Sequence, residues 1–154
     1  MATTLSNHPN DQREAEPAVD AISSQVGKPE AAALDNGYWS PANVKALEAR
    51  GIDAYIAIGR ESHHHSWERF FAEQPAPPSA EASLRVKMAY KLQTEIGRAI
   101  YRLRKMTVEP VIGLIKEVLG FRQFSLRGLA AAAGEWCLVC LAFNLKRLHS
   151  LMID

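Results

Sequence analysis

The sequence predicts an α/β fold in which one βαβ unit is followed by three helices. Two short apolar runs, Ala31–Leu34 and 52–58, are each bounded by turn residues and indicate strands. A helix signal lies between them, and from residue 81 onward apolar residues recur at spacings of three and four. Strand, helix and strand within about 30 residues are typical of a parallel, right-handed unit.

The composition excludes several classes of protein. The chain has 154 residues, of which 47% are apolar and 23% charged, so neither a wholly disordered nor a collagen-like chain fits. Two cysteines are too few for a disulfide-stapled secreted scaffold. No run of about 18 uncharged apolar residues occurs, and the N-terminus lacks the apolar core of a signal peptide. We therefore expect a soluble cytoplasmic protein that does not contact a membrane.

The net charge of +1 conceals an uneven distribution along the chain. Residues 1–84 carry six basic and twelve acidic side chains, a net of −6, whereas residues 85–154 carry twelve basic and five acidic ones, a net of +7. A basic half on a nearly neutral protein favours a polyanionic partner. On charge alone, a solvated helix surface without a ligand is an equally open interpretation.

The acidic half is predicted to contain a polar lead-in and the βαβ unit. The lead-in, residues 1–30, is a loop followed by a short helix, and residues 31–154 form the main segment. Apolar residues of the short helix are Ala15, Val19, Ile22 and Val26. Ser40 and Pro41 open the helix of the βαβ unit as N-cap and first helical residue, and Gly51 ends it.

Three helices are predicted in the basic half. The first is expected over 81–106 and the last over 129–151. Between them, Thr107 is expected to cap a helix that carries Glu109 and Pro110 in its first turn. The side chains predicted to face inward are Leu84, Met88, Leu92, Ile96, Ala99, Ile100 and Leu103 in the first helix, and Leu129, Ala133, Trp136, Cys140, Leu141, Leu145 and Leu148 in the last.

One carboxylate stands where the first strand is predicted to end. Asp35 follows that strand and precedes the turn residue Gly37. Ligands of open parallel sheets bind beyond the carboxyl ends of the strands, so Asp35 can reach a metal or a substrate there. In the alternative interpretation, its side chain only accepts a hydrogen bond from its own turn.

A second carboxylate, Glu109, lies among cations. Lys116 follows it two helical turns later, and Arg104 and Lys105 come just before it. A carboxylate in this setting can hold a divalent metal beside bound phosphates. A surface ion-pair network accounts for the spacing equally well.

Three further patterns carry less specific signals. A long predicted loop contains the histidine run 63–65, but adjacent histidines do not easily ligate one tetrahedral metal. Cys137 and Cys140 fall in the middle of a helix, which favours core packing over redox chemistry. The aromatic residues that could stack on nucleobases are Tyr38, Trp39, Trp67 and Tyr101.

The stretch from Tyr101 to Lys116 resembles the C-terminal signature of bacterial insertion-sequence transposases of the DDE type. That signature separates Tyr, Arg, Glu and Lys by two, three and six residues, which Tyr101, Arg104, Glu109 and Lys116 fit with one departure. Four residues separate Arg104 from Glu109, whereas Lys105 keeps the three-residue spacing. Further resemblance lies in the segments 34–40, 120–124, 127–128 and 134–136.

The resemblance implies a ribonuclease-H-like DDE domain, of which this chain is the C-terminal portion. In that family two Asp and one Glu bind two divalent metals, Mg²⁺ or Mn²⁺, for attack on a DNA phosphodiester. It would make Asp35 the second Asp and Glu109 the Glu, both catalytic and metal-binding. DNA at the transposon end would be contacted by Tyr101, Arg104, Lys105 and Lys116.

The first Asp of the family has no clear counterpart here. Met1 lies only 34 residues before Asp35, and Asp11 and Asp20 occupy polar loop or helical sequence. We therefore expect a transposase fragment that takes part in DNA transposition as a family function but is inactive alone. The alternatives are a non-catalytic DNA-binding protein and a regulator that associates with itself or with full-length transposase, in each case in the bacterial cytoplasm near the nucleoid.

Overall fold

The βαβ unit is present as predicted. A computed structural model describes residues 5–59 and 76–153. In it a short helix, α1 (Ala15–Asp20), precedes strand β1 (Ala31–Leu34). Helix α2 (Pro41–Ala49) then leads to strand β2 (Asp53–Ile56).

The two strands form a parallel sheet. Ala31 lies opposite Asp53 and Leu34 opposite Ile56. Within the described ranges the sheet has these two strands, and several helices surround it. The mixed α/β architecture is thereby confirmed at this level, with β2 shorter than the predicted 52–58.

The connection through α2 follows from local chemistry. The Ser40 hydroxyl oxygen accepts a hydrogen bond from the Asn43 backbone N–H at 3.0 Å, and Pro41 occupies the first turn. At the other end Gly51 adopts a φ of +66°, which favours glycine because it has no Cβ. This turn sends the chain directly into β2.

The main core lies between α2, the sheet and the next helix, α3 (Leu84–Gln93). Its buried side chains are Val44, Leu47, Ile52, Ala54, Ile56 and Met88. The Lys91 ammonium fastens α3 to β2, since it contacts the Asp53 carboxylate and donates to the Ala54 carbonyl at 2.9 Å. The core is therefore built around the βαβ unit and closed by α3.

The polar lead-in is tied to α2 by a buried amide. The Asn43 side-chain N–H₂ donates to the carbonyls of Gln12 at 2.8 Å and Tyr38 at 2.7 Å. The Arg50 guanidinium also pairs with the carboxylates of Glu16 and Asp20, both at 2.9 Å. The helix predicted to reach Val26 ends at Asp20, the residue that pairs with Arg50.

Within residues 76–153 three helices follow β2, but the predicted boundary between the first two is wrong. After α3, helix α4 (Glu95–Glu117) runs without interruption through Thr107 and Pro110. Helix α5 (Leu129–Ile153) comes last. The interruption lies at Thr94 instead, between α3 and α4.

Thr94 explains that interruption. Its hydroxyl donates to the Lys91 carbonyl at 2.7 Å and accepts from the Gly97 N–H at 3.0 Å, so it ends α3 and caps α4. Thr107 donates its hydroxyl to the Leu103 carbonyl at 2.9 Å, which is how a threonine inside a helix behaves. Glu109 consequently lies in the middle of α4 and not in a first turn.

Many side chains predicted to face inward are exposed. In α4 these include Ile96, Ala99 and Leu103. The prediction treated residues 81–106 as one continuous helix. Because the helix is interrupted at Thr94, α4 turns a different face towards the sheet. In α5 they are Leu129, Leu141, Leu145 and Leu148, whereas Cys140 is buried as predicted.

Helix α5 is joined to the rest of the molecule near its beginning. Phe121 and Phe124 pack on Trp136, with ring centroids 6.0 and 6.5 Å away. The Glu135 carboxylate accepts hydrogen bonds from the backbone N–H groups of Ser125 and Leu126 at 3.0 and 3.1 Å. These contacts fix the first half of α5 against the segment that leads into it.

By length and composition, α5 is also apolar enough to cross a membrane. Its mean hydropathy is 1.3, and 6% of that stretch is buried. The search for a long uncharged apolar run missed α5 because Glu135, Lys146 and Arg147 divide it into shorter runs. One such helix, judged by length and composition alone, is weak evidence for a membrane span, so the absence of membrane contact stays a prediction.

Candidate functional site

The first predicted carboxylate lies at the carboxyl end of β1. One Asp35 carboxylate oxygen accepts from the Asn36 backbone N–H at 3.2 Å and so caps a short 3₁₀ turn. The other lies 3.1 Å from a guanidinium nitrogen of Arg104. Asp35 therefore caps its own turn, as the alternative interpretation predicts, and it also pairs with a group 69 residues further along the chain. Its role towards a metal or a substrate stays a prediction.

Arg104 comes from α4, which packs against β1. Its side chain is 19% exposed, against 60% for that of Asp35. The guanidinium carbon also lies 5.3 Å from the centre of the Tyr101 ring. We call Asp35, Tyr101 and Arg104 the strand-end cluster; three predicted site residues meet in it.

A second acidic group lies beside the same turn. An ideal Cβ on Gly37 would stand 2.7 Å from a carboxylate oxygen of Asp11, so Asp11 closely approaches the turn that Asp35 caps. Burial raises the pKa of the Tyr38 phenol, and the negative charges of Asp11, Glu14 and Asp35 raise it further. The turn is therefore surrounded by carboxylates, with the Arg104 guanidinium as the cation paired to Asp35.

Two further predicted site residues, Glu109 and Lys116, lie on the exposed side of α4. Arg98, Arg102, Glu109 and Lys116 are exposed and follow one another at spacings of four, seven and seven residues. These spacings keep them on one face of the helix. We call these four residues the α4 charged stripe, in which three cations flank one carboxylate.

Arg98 and Arg102 were not among the predicted site residues. The signal that could have found them is their spacing from Glu109 and Lys116. It was obscured because the sequence interpretation ended one helix at residue 106 and began another at Thr107. The continuous α4 restores a common face for all four side chains.

The described residues do not form a metal centre. Among residues 5–59 and 76–153, no group of three or more His, Cys, Asp or Glu side chains is placed to hold a metal ion. Asp35 is already paired with Arg104, and Glu109 lies on the exposed face of α4.

Several predicted features fall elsewhere. The histidine run 63–65 and Trp67 lie outside the described residues, as does the side chain of Lys105. Tyr38 and Trp39 pack against the core cluster, which favours a role in core packing over stacking on nucleobases. Cys137 is exposed and Cys140 buried, with the pKa of the Cys140 thiol raised chiefly by burial.

Comparison with known families bears on the basic half of the chain. Residues 77–149 match a protein family described as transposase DDE domain, which is 73 of the 154 residues. The match contains α3, α4 and most of α5, and it leaves the βαβ unit outside. No curated protein and no solved structure matches the chain. The family match supports a DDE transposase fragment.

Proposed function

We propose that this chain is the C-terminal part of a DDE transposase catalytic domain that binds DNA through α4 and does not cleave it alone. The observation that carries the proposal is the α4 charged stripe inside the matched segment. Exposed arginine and lysine side chains along one helix face suit the phosphates of a duplex. A ribonuclease-H-like arrangement and a location at the bacterial nucleoid belong to the same proposal.

The strand-end cluster also supports the proposal. It joins Asp35, the counterpart of the family's second catalytic Asp, to the helix that carries the Tyr-Arg-Glu-Lys resemblance. Transposases of this type generally use divalent metals, which would supply activation of a nucleophile at the phosphodiester. Asp35 and Glu109 would be the ligands from this chain, and a further carboxylate would be needed to complete the set.

Salt dependence of DNA binding tests the α4 surface. Each phosphate contact releases counterions from the DNA, so the logarithm of the affinity falls with the logarithm of the salt concentration. The slope of that fall is steeper by about 0.9 for each contact. We expect Arg102→Gln to lower affinity for any duplex sequence and to reduce that slope by about 0.9. Glu109→Gln should tighten binding because it removes a negative charge from the stripe.

Lys45→Gln is the matched control, since Lys45 is an exposed cation on α2, away from the stripe. It should leave both affinity and slope unchanged. Equal effects of the Lys45 and Arg102 substitutions would mean that overall charge, and not α4, governs binding.

Cleavage and strand transfer with Mg²⁺ or Mn²⁺ test the catalytic half of the proposal. The purified chain should show neither activity. Activity that disappears in Asp35→Asn and Glu109→Gln would contradict it and show that the chain completes its own site. Asp11→Asn belongs in that assay, because Asp11 lies beside the Asp35 turn.

A second candidate function is regulation of a complete transposase by pairing with it. The exposed apolar face of α5 favours this candidate. Added to an active DDE transposase of the same kind, the chain should then lower strand transfer even when DNA is in excess. Inhibition that excess DNA abolishes would indicate mere competition for DNA.

A further inference from the structure

Helix α5 has two faces of different character. The side chains of Trp136, Val139, Cys140 and Phe143 recur at spacings of three and four and are buried or half-buried. They lie on the side that meets the body of the molecule. A second set, at Leu138, Leu141, Leu145, Leu148 and Met152, lies on the opposite side of the helix.

We call this second set the leucine stripe. Its members are between 54% and 77% exposed. Their spacings are three, four, three and four residues, which is the a and d pattern of helices that pair side by side. An exposed stripe of this kind leaves α5 with an apolar face that the described residues do not cover.

Charge along α5 indicates what covers the leucine stripe. Between Leu138 and Ile153 the cations Lys146 and Arg147 fall at the b and c positions, on the outside of a helix pair. The positions that flank the stripe hold Ala142, Asn144, His149 and Leu151, none of which is a Lys, Arg, Asp or Glu. Two copies of the stripe can therefore meet without bringing fixed like charges together.

We infer that α5 pairs with α5 of a second copy of this chain through the leucine stripe. A two-fold arrangement places the same stripe on both sides of the contact, so the interface is self-complementary. A membrane span is disfavoured because it would carry the Glu135 carboxylate, which accepts hydrogen bonds from the backbone N–H groups of Ser125 and Leu126, into the bilayer. The inference does not depend on the proposed function.

Sedimentation equilibrium of the full chain tests the pairing. We expect a concentration-dependent species of twice 17.0 kDa in the absence of DNA. The double substitution Leu141→Lys with Leu145→Lys should shift the equilibrium to monomer at every concentration, because it places like charges in the seam.

The matched control carries the same charge increase elsewhere. Val108→Lys with Leu126→Lys replaces two apolar side chains that are each 54% exposed and lie outside α5. This control should dimerise like the wild type. If both double variants dissociate alike, or if the wild type is monomeric throughout, the inference is wrong. Leu145→Ala, with helicity followed by circular dichroism, provides a milder variant should the charged one fail to fold.

Disulfide crosslinking tests whether the two copies meet through the leucine stripe. In parallel pairing Leu145 lies opposite its own copy, whereas antiparallel pairing places it opposite Leu141 or Leu148 of the second copy. In a Cys137→Ser background, Leu145→Cys alone should form a disulfide-linked dimer on mild oxidation if the pair is parallel. A mixture of Leu145→Cys chains with Leu141→Cys or Leu148→Cys chains should do so if it is antiparallel, and Ser150→Cys, on the outer side, should not in either case. Monomeric protein that instead sediments with vesicles of phosphatidylcholine and phosphatidylglycerol would assign the stripe to lipid and overturn the inference.

Discussion

Arg104 illustrates how the setting of a side chain decides its role. The sequence places it in a run of cations, which suggests contact with DNA. In the folded chain its guanidinium faces the end of β1, where Asp35 neutralises it and the Tyr101 ring lies close by. Among the cations of α4, Arg102 and Lys116 are exposed, whereas Arg104 is mostly enclosed.

Replacement of Arg104 should therefore affect stability more than DNA binding. We expect Arg104→Gln to lower the free energy of unfolding by about 1 kcal/mol, the scale of a partly exposed ion pair, and to leave the salt slope of DNA binding unchanged. Thermal unfolding and binding isotherms measure the two effects separately. A fall in the salt slope equal to that of Arg102→Gln would place Arg104 on the DNA, as its position in the signature suggests.

Glu135 makes the start of α5 sensitive to pH. Hydrogen bonds from the backbone N–H groups of Ser125 and Leu126 hold the pKa of its carboxyl below the usual value. A carboxyl whose pKa is lower in the folded state stabilises above its unfolded pKa, and that stabilisation is lost as pH falls through the folded pKa.

Glu135→Gln should consequently lower the unfolding temperature at pH 7 and have little effect at pH 3. Melting curves of the wild type and the variant across this range should converge at the acidic end. A constant difference at all pH values would show that the carboxylate charge contributes nothing.

At the scale of elements, the βαβ unit was predictable and the helices only in part. The ends of α2 follow from sequence because Ser40 and Pro41 start the helix and Gly51 ends it. The run 52–58 favours a strand through its β-branched residues, whereas the alanines of Ala31–Leu34 by propensity favour a helix, and pairing with β2 makes them a strand. The boundary between α3 and α4 did not follow. Thr107 and Pro110 fit the sequence pattern of a helix start. The true boundary depends instead on Thr94, whose hydroxyl hydrogen-bonds to both α3 and α4.

Gly97 tests that boundary. A Cβ at this position would lie 1.9 Å from the Lys91 carbonyl oxygen, where α4 passes closest to the end of α3. Gly97→Ala should therefore cost about 1–3 kcal/mol of stability, because the two helices have to separate.

Gly113→Ala provides the control within the same helix. No atom lies within 4 Å of its added Cβ, so it should stabilise α4 by up to about 1 kcal/mol through helix propensity. Chemical denaturation compares the two variants. Equal and small effects would mean that the α3–α4 approach is not close.

At the scale of the whole molecule, the main hydrophobic core and the α4 charged stripe belong to different elements. The main core surrounds the βαβ unit and α3, whereas the basic side chains follow α4. The sequence names candidate site residues through the resemblance near Tyr101, and their role in a site stays a prediction. The pairing of Asp35 with Arg104 could not be predicted from the sequence, because it depends on how α4 crosses the end of β1.

Leu47 and Leu148 probe this division. Leu47 is fully buried, so Leu47→Ala should cost about 2–5 kcal/mol of unfolding free energy. Leu148 is 55% exposed, and at concentrations where the chain is monomeric Leu148→Ala should change it by less than about 0.5 kcal/mol. Denaturant titration in dilute solution makes the comparison, and a large effect at Leu148 would place α5 inside the cooperative core.

Pro110 has a consequence for the reach of α4. A proline has no N–H, so the carbonyl of Met106 receives no hydrogen bond from it, and the helix is weakest there. Arg102 lies before this point, in the part of α4 that rests on the sheet, and Lys116 lies after it, in the part next to the aromatic residues that hold α5. Between these two cations the α4 backbone therefore lacks one hydrogen bond. If α4 binds DNA as proposed, the missing bond would lower the energy needed to bend the helix along a curved duplex.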